Sequence, residues 1–520
     1  MSSTEALFAR YGPAYRWIAT VTALVAAIAV ILSATIVNVA IPDVMGAFGI
    51  DQVKAQWLST GFLAAMTATM LLTDWAERAF GQRESILAAL ATFTGGSVLG
   101  GLAPDENVLI LARVIQGAAA GIVQPLAMIM VFQVFPPERR GAAMGIFGIG
   151  IVLAPALGPW VGGLLMDSFN WRYVFYLGVP FAALGMGLAS LFLPTRTASG
   201  PRPGFDWLGF GLLCLFLTTL LSALSNGQRQ GWSSDPILLQ FATAAMAAIA
   251  FVWWERRTAR PMLDLRVFSE LPFGAASIVS FIMGAGLFGS TYLLPLFVQT
   301  IQGMTPTQAG LLLMPAGFVL VLVFPIAGRL TDQLSPGLLI GAGMAIFAWS
   351  SWLMTQVDVN TGFWLLAWWT MLTRIGLGLV FPALSAAALQ VLPSRLVAQG
   401  SGAVNFTRQL GGAFGVNLLA VILERRTMFH AETLTATQTP DNPATMAFLD
   451  HVIRITQHVP LPDFQQLPAA KWFLGQAIYA QANTMAYRDG FLITAIVFAA
   501  ALLPTWLLER AQRRAAASPR

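Results

Sequence analysis
Fourteen apolar runs, most of them close to or above the roughly 20 residues a helix needs to cross a bilayer, follow one another along this chain with polar links between them. They fall at Trp17–Ile41, Val53–Thr73, Ser85–Ala103, Val108–Phe135, Gly141–Met166, Tyr173–Leu193, Trp207–Leu224, Ile237–Trp254, Phe273–Val298, Gly310–Ala327, Leu338–Met354, Phe363–Leu392, Ser401–Leu423 and Gly490–Leu508. In hydrocarbon every backbone N–H and C=O needs a partner within the protein, so a spanning segment is a helix or a strand of a closed barrel. Barrel strands alternate in polarity over about ten residues, and these runs do not, so they read as helices. Gly and Pro recur inside them, as membrane helices tolerate. Only 10% of the 520 residues are charged, against about 25% in a soluble domain, too few to cover a water-facing surface. An all-α membrane protein of fourteen transmembrane helices is expected. Arg10 and Arg16 flank the first run as in a secretory leader, but the run exceeds the roughly 7–15 apolar residues of a cleaved one and should remain as an anchor.

Arginine falls on alternate links. Arg10, Arg16, Arg78, Arg83, Arg139, Arg140, Arg256, Arg257 and Arg329 share the side of the N-terminus, whereas the short links opposite hold only Lys54, Arg172 and Arg229. This asymmetry predicts both termini in the cytoplasm. The basic residues are scattered singly or in pairs, which leaves no footprint for nucleic acid. Cys214, the single cysteine, cannot form an internal disulfide. One outer link is long, from Glu424 to Asp489. Phe448, Leu449, Val452 and Ile453 recur there at helical spacing, as do Leu474, Ile478 and Met485, which predicts two short amphipathic helices, either a cap on the bundle or a docking surface.

The chain also repeats itself. Gly328-Arg329-Leu330-Thr331-Asp332 follows the tenth run as Asp74-Trp75-Ala76-Glu77-Arg78 follows the second. Arg113 with Gly117 in the fourth is answered by Arg374 with Gly378 in the twelfth, and Gly162-Gly163 in the fifth by Gly411-Gly412 in the thirteenth. A near-constant separation of roughly 250–260 residues implies two six-helix bundles with the seventh and eighth helices inserted between them. The divisions are 1–200, 201–270 and 271–520, the last including the outer loop 424–489. Such halves enclose a midplane site and rock about it.

Several stretches now carry a resemblance: Thr35-Ile36-Val37-Asn38-Val39-Ala40-Ile41-Pro42, Arg113-Val114-Ile115-Gln116-Gly117, Gly158-Pro159-Trp160-Val161-Gly162-Gly163 and Trp171-Arg172-Tyr173-Val174-Phe175. Tyr292-Leu293-Leu294-Pro295-Leu296, Gln308-Ala309-Gly310 and Arg408-Gln409-Leu410-Gly411-Gly412 complete it over nearly the whole chain. Together they resemble the fourteen-helix drug:proton antiporter family of the major facilitator superfamily, the EmrB/QacA type, and the long outer loop is similar to the EmrB branch. The resemblance implies a major facilitator fold and a multidrug efflux transporter in a cell inner membrane, exchanging amphipathic compounds for protons by alternating access. It also implies a periplasmic adaptor protein and an outer-membrane channel as partners, and no cofactor or metal. It places Arg113 beside the substrate and proton path, along which Ser33, Asn38, Gln116, Arg374 and Arg408 are further candidates. Asp74, Glu77, Arg78, Gly81 and Arg83, with Arg329 and Asp332, stand in its gating loops, where Asp74 replaces the usual first Gly and Arg78 the usual acid. Pro155, Gly158, Pro159, Gly162 and Gly163 stand in its antiporter-motif helix.

The residues themselves add physical expectations. Pro155 and Pro159 each delete a helical hydrogen bond while the three glycines allow close approach, so the fifth helix should be bent and tightly packed. A buried arginine at mid-membrane costs about 2.5–3.5 kcal/mol, so Arg113 and Arg374 face either a polar path or backbone carbonyls between helices. Arg408 lies nearer the end of its run, with room to snorkel. Every Asp and Glu can be placed in a link or at the end of a run, the nearest to the membrane being Asp43, Asp74, Asp167, Glu424 and Asp489. Ser33 holds the place where the family commonly carries Asp. Guanidiniums without carboxylates predict a net positive crevice that prefers anionic or neutral amphipaths, with Asp74 or Glu77 left to handle protons. Trp364, Trp368, Trp369 and Phe381 either line that crevice or anchor the interface. A dedicated exporter of one metabolite, pigment or lipid-like compound is the alternative. An enzyme is disfavoured, since His430, His451 and His458 lie in the outer loop without metal spacing and read as surface residues. No charged ring suggests a channel, and no Walker-type loop precedes a lysine.

Overall fold
The computed structural model describes residues 3–50, 52–196, 203–456 and 462–517. Each of the fourteen apolar runs falls on a helix. The first half comprises α1 (Tyr15–Phe48), α2 (Gln52–Met70), α3 (Gln82–Gly101), α4 (Glu106–Val134), α5 (Arg140–Ser168) and α6 (Gly178–Phe192). The inserted pair is α7 (Trp207–Gln230) and α8 (Asp235–Glu255). The second half comprises α9 (Leu271–Thr300), α10 (Pro306–Gln333), α11 (Pro336–Leu353), α12 (Phe363–Gln390), α13 (Val397–Ala436) and α14 (Asp463–Ala500). Eleven of these are by themselves long and apolar enough to cross a membrane, and α2, α3 and α5 are the other three of spanning length. The start of α1, where Trp17 packs on Phe135, and the end of α10, where Asp332 bonds Gly141, lie at one end of the bundle, called here the terminal face.

Local chemistry sets several boundaries. Asp105 caps α4 by accepting from Asn107 N and Val108 N, both at 2.9 Å. Thr305 and Gln308 form a reciprocal capping box at the start of α10, with Pro306 as its first residue. Gly49, at φ +63°, ends α1 in a left-handed conformation that glycine adopts without strain.

Within the first half α1 packs on α4, α5 and α6, and α4 packs on α2 and α3. The second half repeats this with α9 on α13, α10 and α11 on α12, and α14 on α11 and α13. The inserted pair packs on itself and against α2. The halves meet chiefly where α5 lies on α10 and α12, with a slighter contact of α13 on α2 and α4.

The outer link differs from expectation. Pro443–Thr456 is a separate short helix, and its Leu449 and Val452 pack on Ala470 and Leu474 of α14. The stretch holding Leu474, Ile478 and Met485 is not a second short helix, however, but part of α14. From Leu474 to Met485 it holds no proline, so helical bonding runs on into the membrane part. Likewise α13 runs on past Leu423 to Ala436, giving helices of 40 and 38 residues, each about 60 Å long.

Candidate transport path and gates
Arg113 is fully buried in the first half. Its Nε donates to Leu58 O (3.0 Å) on α2, and its Nη1 donates to Ser33 O and Ser33 Oγ (both 3.2 Å) on α1 and to Gln116 Oε1 (2.9 Å). Gln116 passes the chain of bonds to Ser97 Oγ (2.9 Å) on α3, and the guanidinium lies 4.2 Å from the Phe62 ring centre. Ser33 therefore meets Arg113 directly. All of these partners belong to the first half, so Arg113 ties α1, α2, α3 and α4 together. Asn38 is on α1, and its side-chain surroundings lie outside the described residues.

Arg374, 7% exposed, has its neighbours in the second half. Its Nη2 donates to Thr291 Oγ1 (3.0 Å) and its Nη1 is enclosed without a protein acceptor. The arginines expected to share one crevice are thus held apart, each inside its own bundle. The reason lies in their partners, which are drawn from helices of the same half.

Arg408 is the buried guanidinium at the seam. It does not snorkel, being 5% exposed; it donates to Asn405 Oδ1 and lies 5.1 Å from the Phe381 ring centre. Asn405 Nδ2 contacts Met128 Sδ (3.3 Å) and Ser401 Oγ donates to Pro125 O (3.1 Å), both on α4 across the seam. Phe381 packs on Phe324, and both rings lie 3.2 Å from where a Cβ on Gly148 of α5 would sit. Sequence reasoning misses Ser401 and Asn405, although Ser401, Asn405 and Arg408 stand at spacings of four and three and so share one face of α13. Trp369 is buried in the second half, whereas Trp364 and Trp368 are exposed at the outer start of α12.

At the terminal face the repeated loops act differently. Asp332 at the end of α10 accepts from Gly141 N (2.7 Å) and Ala142 N (3.0 Å), capping α5 of the other half. The approach needs glycine on both sides, because a Cβ on Gly141 would sit 2.6 Å from Gly328 O and one on Gly328 2.6 Å from Gly141 O. In the matching loop Arg78 occupies the acid's place and pairs with its own Asp74, which is buried. The start of α13, which this loop faces, has no side-chain cap. Glu77 Oε1 accepts from Gln82 Nε2 (2.7 Å), which also reaches Gln133 Oε1 (2.8 Å). Burial holds the Glu77 carboxyl above its ordinary pKa, against the opposing pull of Gln82. Gly81, at φ +89°, turns the chain against Arg196; Arg83 is half-buried and Arg329 exposed.

Gly158 and Gly162 seat α5 on α1, where an added Cβ would lie 2.6 Å from Thr35 Oγ1 or Ile36 Cγ1. The side chains of Pro155 and Pro159, and Gly163, lie outside the described residues, although α5 is one helix through them. Asp489 is inside α14 rather than in a loop, held by Arg426 Nε (2.5 Å) and His430 Nε2 (2.7 Å). His430 is accordingly buried rather than a surface residue, His451 is exposed, and His458 lies outside the described residues. Among the described residues no three His, Cys, Asp or Glu side chains cluster as metal ligands would.

The sequence profile of the Major Facilitator Superfamily matches residues 23–416. The chain is 30% identical over 490 residues to the "Multidrug resistance protein B homolog" of Mycobacterium tuberculosis (strain ATCC 25618 / H37Rv), covering 92% of this chain and 87% of that protein. It is 28% identical over 481 residues to the "Multidrug export protein EmrB" of Haemophilus influenzae (strain ATCC 51907 / DSM 11121 / KW20 / Rd), covering 92% and 93%. The fold is similar to that of the solved proton:xylose symporter XylE, with a TM-score of 0.60 at 14% identity, covering 95% of this chain and 96% of that one.

Proposed function
This chain belongs to the major facilitator superfamily of membrane transporters, and from that premise we propose that it exports amphipathic compounds, anionic or neutral, in exchange for protons. Its named relatives include multidrug export proteins, which supports broad efflux over a dedicated cargo. We place it in a cell inner membrane with the terminal face cytoplasmic, in keeping with the arginine asymmetry. The two bundles and the inserted pair, divided at 1–200, 201–270 and 271–520, would rock about the seam.

The observation that carries this reading is the seam itself. Its cross-half hydrogen bonds, from Gly141 and Ala142 to Asp332, from Ser401 to Pro125 and from Asn405 to Met128, lie toward the terminal face. With the terminal face cytoplasmic, these bonds support a carrier closed to the cytoplasm and ready to release outward. Arg408 stands at the inner end of this closure without a carboxylate partner, so a cargo entering from the cytoplasm meets a guanidinium, an amide and the Phe381 ring. A lipophilic cation would be repelled there and a weak acid attracted. Asp74, paired with Arg78, and Glu77, in the loop beside the closure, would be the carboxylates that exchange protons. A periplasmic adaptor would reach the outer extension of α13 and α14.

Inverted membrane vesicles test the reading directly. A weak-acid uncoupler should be pumped in preference to a cationic dye, only with a proton gradient, and Arg408→Gln should lose that preference. Cation export at the wild-type rate, unaffected by Arg408→Gln, would overturn it.

A further inference from the structure
Arg374 lines a cavity inside the second half, walled by α9, α11, α12 and α14. The polar lining is Ser290, Ser351, Thr370, Thr373 and Thr494, and Leu293, Leu294, Met354 and Phe491 close the rest. The volume open to the centre of a water-sized occupant is about 10 Å³, room for a single centre. No carboxylate lines it, and no first-half residue does.

A guanidinium keeps its charge in a protein and offers five N–H donors. Arg374 satisfies one of them on Thr291 and keeps Nη1 enclosed without a protein acceptor. Four of the hydroxyls already donate to carbonyls one turn back: Ser290 to Leu287 O (3.1 Å), Thr370 to Leu366 O (2.7 Å), Thr373 to Trp369 O (3.0 Å) and Thr494 to Gly490 O (2.8 Å). Ser351, 3% exposed, forms no hydrogen bond among the described residues, so its proton is free to turn inward. The site therefore offers a full positive charge and a free hydroxyl donor around one atom-sized space. A water there would satisfy Nη1 but leave the charge uncompensated in low dielectric. A carboxylate, with three heavy atoms, is too large.

We infer that this cavity is a binding site for one small monovalent anion of chloride's size, held by Arg374 Nη1 and Ser351 Oγ. The anion compensates the arginine inside the second half and couples the packing of α9, α11, α12 and α14 to halide concentration. The site is separate from the seam at Arg408 and does not depend on which cargo is exported.

The test is a chloride titration of the full-length protein in phosphatidylcholine nanodiscs, with gluconate replacing chloride at constant ionic strength, followed by tryptophan-detected melting. Wild-type protein should show a saturable rise in melting temperature that bromide reproduces. Arg374→Gln should raise the half-saturating concentration by about tenfold or more, as loss of a charge-assisted hydrogen bond implies. Ser351→Ala should raise it by less. If Arg374→Gln does not fold, Ser351→Ala and a bromide-soaked crystal carry the test, with an anomalous peak expected within hydrogen-bonding distance of Nη1. A melting temperature indifferent to halide, a halide effect equal in wild type and Ser351→Ala, or density at the site with no anomalous signal, a water only, would overturn the inference.

Discussion
Arg113 and Arg374 hold matched places in the two halves, yet their surroundings have little in common. Arg113 reaches two carbonyls, a hydroxyl and a side-chain amide on three helices, while Arg374 donates to Thr291 alone and borders a cavity. The loops at the terminal face differ in the same way. Asp332 of the second half crosses the seam to cap α5, whereas its counterpart Arg78 turns back onto Asp74. The contrast teaches that duplication preserved the backbone plan while the side chains took separate roles. Both guanidiniums keep one buried nitrogen without a protein acceptor, Nη2 of Arg113 and Nη1 of Arg374, but only the second half sets its arginine against a cavity and its loop carboxylate against the other half.

The sharpest way to break this contrast is to delete each arginine. Arg113→Ala leaves several buried acceptors without donors at once and should lower stability by more than about 3 kcal/mol, seen as loss of folded protein in melting curves. Arg374→Ala removes a donor only from the Thr291 hydroxyl, which already donates to Leu287 O (2.6 Å) on its own helix, so its loss should be well under half of that. Equal losses would show that the two environments are energetically alike.

The gates come next. Asp332→Ala removes a cap worth about 0.5–2 kcal/mol across the seam and should shift the population toward the form open at the terminal face, measured by double electron–electron resonance between labels on α5 and α10. Arg78→Ala should leave that distance distribution in place. A shift from Arg78→Ala as large as that from Asp332→Ala would remove the asymmetry.

Ser33→Asp sharpens the comparison from the other side, because the hydroxyl already touches Arg113. A carboxylate there would pair the guanidinium and, when protonated, release it. The ratio of cationic-dye to weak-acid export should rise by about tenfold, the effect of ~1.4 kcal/mol. An unchanged ratio would mean that the α1–α4 junction does not influence selection of cargo.

The smallest effect is expected at Glu77, whose raised pKa follows from burial. Its contribution to the folded loop is fully present below the ordinary glutamate range and is lost as pH rises through the raised value. Glu77→Gln should flatten that pH dependence of melting by less than about 1 kcal/mol. If the slope is the same in Glu77→Gln, the loop's carboxyl is not titrating in the folded protein.

The spans were legible in the sequence because lipid leaves the backbone no alternative, and the repeat was legible because Arg113, Arg374 and the two loops keep their spacing. Partners were not legible. Asp332 meets Gly141 across 191 residues of sequence, and whether Arg113 faces carbonyls or a path depends on where α1 and α2 cross α4. The outer loop misled for a different reason. Amphipathic spacing marks a helix but not where it stops, and between Leu474 and the membrane part of α14 no residue breaks it. Distance along the helix alone lets Arg408 snorkel; the face it shares with Ser401 and Asn405 turns it to the seam instead.

The unbroken length of α13 and α14 has a mechanical consequence. Rods of about 60 Å anchored in the second half act as pointers, and a tilt of about 10° at the seam would sweep their free ends through roughly 10 Å. The helix Pro443–Thr456, riding at that tip, would therefore magnify a rocking of the bundle, and a probe attached there would report the proposed cycle at a distance from the seam.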